Sequence, residues 1–103
     1  MKESRKARRA NVTGGRLFFS AEEIQGEGRL LDLSATGCMA ESDINVAVGL
    51  EMQLSLMLSD HPWPVQVEQA IVRWVRGAIF GLEFLAIRPS HLHRIRLLII
   101  NTR

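Results

Sequence analysis

The chain has 103 residues, of which 47% are hydrophobic and 23% charged, with a formal net charge of +2. That is enough apolar material for a single core and too much for a disordered chain, and no apolar stretch approaches the roughly 18 uncharged residues of a membrane span. Cys38 is the only cysteine, which excludes an internal disulfide and fits a reducing, cytosolic setting.

Residues 1–15 lack apolar periodicity and read as a flexible basic arm, a separate unit from the domain that follows. The basic start "MKESRKARR" is not followed by an apolar h-region, so a secretory signal is not expected. Residues 1–16 carry six Lys and Arg against Glu3, a local charge of +5, whereas the remainder holds seven against ten acids, or −3. A basic arm on a slightly acidic body suits an anionic partner. A solvated terminal tail would have the same composition.

From Arg16 to Phe84 short apolar segments alternate with turn residues, the pattern of an antiparallel sheet or barrel. "RLFFS" (16–20) and "RLLDL" (29–33) are the first two predicted strands. "SATG" turns the chain into "CMAES" (38–42). "LEMQLSLML" (50–58) alternates so that one face is buried. After the two prolines of "DHPWP", "VQVEQAIVRWV" (65–75) changes phase between Val67 and Ala70, and a bulge near Gln69 would reconcile the halves. Trp74 and Trp63 are expected to be packed. "RGAIFGLEF" (76–84) is a tight hairpin into a last strand. In "PSHLHRIRLLIINTR" the spacing predicts a helix over 90–102, capped by Ser90, with Leu92, Ile95, Leu98 and Ile99 on one stripe. The expected fold is therefore all-β with a C-terminal helix: a six-stranded antiparallel barrel over 16–103, the helix closing or flanking one end.

Catalytic and metal chemistry find little support. His91 and His93 stand two apart, where helical side chains diverge, and no Cys or Asp set accompanies them. Cys38 alternates with Ala40 as a small core residue would. Asp32 and Ser34 lack a partner histidine, and no glycine-rich phosphate loop is present. An enzyme is not expected.

Two short patterns remain. "RKARR" spaces Arg5 and Arg9 four apart with Arg8 between them, and "DLSATG" sets Asp32, Ser34 and Gly37 on a strand-to-strand turn. Taken alone, the second could be a turn in which Asp and Ser bond their own backbone and Gly takes a positive φ. In this order, on this body, the chain resembles the PilZ domain family, bacterial receptor modules for cyclic di-GMP. R-x-x-x-R stands at Arg5 and Arg9, D-x-S-x-x-G at Asp32, Ser34 and Gly37, and G-x-x-F at Gly81 and Phe84, so the likeness covers nearly the whole chain.

The resemblance implies a six-stranded PilZ-type barrel and a ligand-binding set of Arg5, Arg8, Arg9, Asp32, Ser34 and Gly37. Arginine forks onto phosphate or the guanine O6/N7 edge, and a carboxylate such as Asp32 suits the guanine N1–H and N2–H₂ donors. On this view the ligand orders the arm across the barrel, and a downstream protein partner reads the change. No cofactor other than cyclic di-GMP, no DNA or RNA and no membrane insertion are expected. Trp63, Trp74, Phe80 and the helix stripe could support a homodimer, although burial accounts for them equally well. The competing possibility is a PilZ-fold protein-interaction module that does not bind nucleotide. At this size the chain has no room for a fused enzymatic domain, so it acts through a partner or belongs to a larger protein.

Overall fold

The structure, a computed structural model, describes residues 9, 10, 12–59 and 61–101. Its strands are β1 (Arg9–Ala10), β2 (Arg16–Ser20), β3 (Gln25–Ser34), β4 (Gly37–Glu41), β5 (Glu51–Met57), β6 (Val65–Arg76) and β7 (Ile79–Ala86), followed by helix α1 (Pro89–Asn101). Strands β2 to β7 pair antiparallel in the order β3-β2-β5-β6-β7-β4, and β4 returns to β3, closing a six-stranded barrel with one C-terminal helix. Closure satisfies the backbone groups that an open sheet edge would present to neighbours. β1 adds to β3 beyond the end of β2, with Arg9 opposite Ser34 and Ala10 opposite Leu33. Just after it, Val12 is buried, and its carbonyl accepts the Gly15 N–H (2.7 Å) to turn the chain into β2. Arg5 and Arg8 lie outside the described residues.

Period-two alternation buries Leu17 and Phe19, Leu54 and Leu56, and Val65 and Val67, while their strand neighbours face outward. Burial of each such side chain contributes about 1.5–3 kcal/mol. Phe19 and Phe80 meet edge to face with ring centroids 5.9 Å apart, the arrangement aromatic quadrupoles favour. Phe80 is fully buried and so cannot contribute to a dimer surface. Cys38 and Ala40 share the inner face of β4.

Four register shifts depart from simple alternation. In β6 an extra residue relative to β5, between Val67 opposite Leu54 and Ala70 opposite Met52, lets Val67 and Ala70, three apart, both point inward. In β3 Leu31 is the extra residue between Leu30, opposite Ala40, and Asp32, opposite Met39, so Leu30 and Leu33 are both buried. A third shift inserts Arg73 between Val72 and Trp74, and a fourth leaves Leu85 as the extra residue of β7 between Phe84, opposite Ala70, and Ala86, opposite Gln69. Each is a bulge, which bends its strand and reverses the inside–outside phase beyond it.

Helix α1 starts at Pro89 and is not capped by Ser90: the Arg88 carbonyl accepts the His91 and Leu92 N–H groups at 3.0 Å. Proline at the first helical position has no N–H to satisfy and a φ already suited to the helix. Ile95 and Ile99 are buried and Leu98 packs against the core. The helix also covers β6 where pairing with β7 stops at Gln69. There the Gln66 N–H donates to His91 Nδ1 (3.0 Å), Arg94 Nη1 donates to the Trp63 carbonyl (2.6 Å), and Arg88 Nε donates to Glu68 (2.5 Å). α1 contacts β1 and β3 as well as β6. Among the described residues no helix is long and apolar enough to cross a membrane.

Because Ile95 is fully enclosed, Ile95→Ala is expected to destabilise the fold by about 2–4 kcal/mol. Urea unfolding checks this: the midpoint falls at constant slope. An unchanged midpoint would mean that the helix is not part of the cooperative unit.

Candidate functional site

The bulges at Leu31 and Arg73 decide which side chains reach the outer wall of the barrel. Without the first, Asp32 would share the inward phase of Leu30; with it, Asp32 turns outward and is half-buried. Without the second, Trp74 would follow Val72 into the core; with it, Trp74 is 37% exposed. The expectation that Trp74 is a core residue is therefore corrected. Trp63, also expected to be packed, is 66% exposed.

Pairing then aligns a row across four strands: Asp32 opposite Met39, Met39 opposite Gly81, and Gly81 opposite Trp74. Gly81 has no side chain, and a Cβ built there would lie 2.1 Å from Trp74 Nε1. The indole thus lies flat across Gly81, and the Arg76 guanidinium stands 5.4 Å from its ring centroid, within cation–π range. The next residue pair along the strands sets Gly37 opposite Glu83. Asp32, Ser34, Thr36, Gly37, Met39, Arg73, Trp74, Gly81 and Glu83 line a dip of about 270 Å³ on this wall.

The turn itself is held by its own bonds. Ser34, 3% exposed, accepts the Thr36 N–H at 3.2 Å and donates to the Gly37 carbonyl at 3.3 Å. Ser34 therefore behaves as the self-bonded turn alternative would have it. Gly37 does not: its φ is not positive. Its role is clearance within the barrel, because a Cβ there would meet the Leu82 carbonyl oxygen of β7 at 2.2 Å.

Charge around the dip is mixed. Asp32 and Glu83 are set against Arg73, whose Nε donates to Glu83 Oε1 at 2.6 Å. Among the described residues, the lining carries the carboxylates of Asp32 and Glu83 and the guanidinium of Arg73. The positive charge of the sequence is concentrated in residues 1–16, and β1 brings the backbone of Arg9 alongside Ser34 at the rim. Among the described residues, no three His, Cys, Asp or Glu side chains converge as metal ligands would. A wider hollow of about 530 Å³, around Phe18, Gln25, Gln53 and Gln66 on another wall, contains none of the candidate residues.

Sequence reasoning missed Trp74 and Arg73. The signal was present as a dipeptide, "RW", after Val72, but its outward direction depends on a bulge that periodicity alone does not reveal.

Comparison with known proteins is consistent with this architecture. The family model for the PilZ domain matches residues 3–101. Among solved structures, the inhibitor of motility MotI/DgrA of Bacillus subtilis superposes with a TM-score of 0.76 at 18% identity, over 96% of this chain and 51% of that one. YcgR of Escherichia coli in complex with c-di-GMP gives 0.77 at 16% identity, over 95% of this chain and 45% of that one. The PilZ domain of the same YcgR with c-di-GMP gives 0.65 at 17% identity, over 97% and 92%. The chain spans about half the length of the first two structures. A search of curated proteins found no match.

The two glycines make opposite predictions. Gly81→Ala presses on a side chain that can swing away, so it should displace Trp74 and red-shift its emission, read in a Trp63→Phe background, at a stability cost of about 1 kcal/mol. Gly37→Ala presses on backbone and should cost about 2–4 kcal/mol in thermal unfolding. Equal costs would contradict this assignment of their roles.

Proposed function

The chain belongs to the PilZ domain family, and on that premise we propose that it is a receptor for cyclic di-GMP, held between the N-terminal arginines and the outer wall of the barrel. The observation that carries this reading is the register of β1, which sets Arg9 opposite Ser34 and so brings the end of R-x-x-x-R to the start of the D-x-S-x-x-G turn. The two structures of YcgR with c-di-GMP support the choice of ligand.

Each half supplies what the other lacks. A cyclic dinucleotide presents two phosphates and two guanines. Arg5, Arg8 and Arg9 would take the phosphates and guanine O6/N7 edges, through charge-assisted bonds worth about 1.5–3 kcal/mol each. Asp32, turned outward by the Leu31 bulge, would accept from guanine N1–H and N2–H₂. Trp74 offers an exposed indole face to a base, a stacking contact worth about 1–3 kcal/mol. Ser34 and Gly37 would act through the turn they hold, by fixing the distance between β3 and β7.

Function then follows from bridging. A ligand held by both the arm and the barrel fastens the arm to the wall, and α1, which touches β1 and β3, lies where the fastened arm can alter the surface offered to a downstream protein. Such a protein is a receptor and not a catalyst, acting in the cytoplasm where cyclic di-GMP is made. Ordering the arm opposes binding by the backbone entropy lost, about 1–2 kcal/mol per residue, so affinity depends on several contacts forming together.

Isothermal titration calorimetry tests the proposal. Cyclic di-GMP should bind saturably and GTP should not compete. Arg9→Ala, Asp32→Ala and Trp74→Ala should each weaken binding by about one to two decades, with melting temperature little changed. Absence of binding by the wild-type chain, or unaltered binding in all three variants, would refute it.

A further inference from the structure

The bulge at Arg73 has a second effect besides exposing Trp74. It places two consecutive residues, Arg73 and Trp74, on the outer wall, and the Arg73 guanidinium reaches Glu83 of β7 with Nε to Oε1 at 2.6 Å. Both partners line the dip that also holds Asp32. We propose that Glu83 is an internal competitor for the ligand: it holds the guanidinium that lines the dip with Asp32 and Trp74, and binding transfers Arg73 from the Glu83 carboxylate to a phosphate of the dinucleotide. This inference rests on cyclic di-GMP being the ligand.

Three observations favour exchange over a fixed structural pair. The side chains are 54% and 48% exposed, and pairs so open to water are weakly held and readily traded for another anion. Glu83 stands opposite Gly37 in the register, so the carboxylate lies over a strand position without a side chain to wall it off from the dip. Among the described residues of the lining, Arg73 is the one guanidinium, and it is therefore the group a phosphate arriving at this wall would meet. While Glu83 holds Arg73, that guanidinium is not offered to a phosphate, and the arm must supply the first cationic contacts. Glu83 would thereby make binding depend on Arg5, Arg8 and Arg9 more steeply than a neutral residue would, and set the ligand concentration at which the arm closes.

A double-mutant cycle read by calorimetry with cyclic di-GMP separates the possibilities. Glu83→Gln is expected to tighten binding by about two- to fivefold, a change of the size one exposed ion pair can supply. In an Arg73→Ala background the same substitution should change affinity by less than about twofold. Weaker binding in Glu83→Gln would mean that the carboxylate positions Arg73 and does not compete for it. An equal gain with and without Arg73 would mean simple repulsion. Either result overturns the inference while leaving the receptor reading intact. Failure of both the wild type and Glu83→Gln to bind would overturn both.

Discussion

A β-strand alternates its side chains strictly between two faces, and in a barrel this small one face is core. Only an inserted residue can turn a side chain from one side to the other. The candidate wall depends on two such insertions. Leu31 in β3 brings Asp32 out while keeping Leu30 and Leu33 in, and Arg73 in β6 brings Trp74 out while keeping Val72 in. Because β4 and β7 pair between them without a shift, Asp32 and Trp74 occupy one row across four strands. The same bulges supply the curvature that closure of the barrel requires.

Two glycines complete the arrangement by omission. At Gly81 the missing side chain lets the indole of Trp74 lie down across β7. At Gly37 it lets β4 approach β7 closely enough for the turn to sit beside the dip. The residues that touch the ligand in the proposed receptor are therefore few. Most of the motif keeps backbone in place, which in the proposed receptor separates binding from stability: arm and wall substitutions would alter affinity, whereas a substitution at Gly37 would alter the barrel. In the proposed receptor charge divides the same way, with the base-reading groups on the wall and the phosphate-reading groups on the basic arm.

Much of the barrel was legible because its strands obey period two. β2 and β5 lie where alternation predicts, and the phase change in "VQVEQA" coincides with an actual register shift against β5 between Val67 and Ala70. β3 was read only from Arg29, although it begins at Gln25. "QGEG" lacks the apolar alternation that marks a strand, and pairing with β2 is what makes it one. Trp74 was misplaced for a related reason: neighbouring apolar residues at 72 and 75 look the same whether or not residue 73 is bulged. Ser90 looked like a cap because serine favours that position, but Pro89 begins the helix first. Asp32, Ser34 and Gly37 were visible as a motif, while the meaning of each came only from its neighbours across the strands. A bond such as that of Ser34 to the Gly37 carbonyl is local. The contact of Gly37 with Leu82 joins residues 45 positions apart and could not be read along the chain.

The central claim is that one ligand joins the arm to the barrel wall. Amide hydrogen exchange with and without saturating cyclic di-GMP tests it directly, because slowed exchange reports local closure at each backbone N–H. The account predicts slowing together at Arg9–Val12, at Thr36–Cys38 and at Arg73–Trp74, with the strands around Phe18 and Gln53 unchanged. Slowing confined to that other wall, or to the barrel wall without the arm, would contradict it.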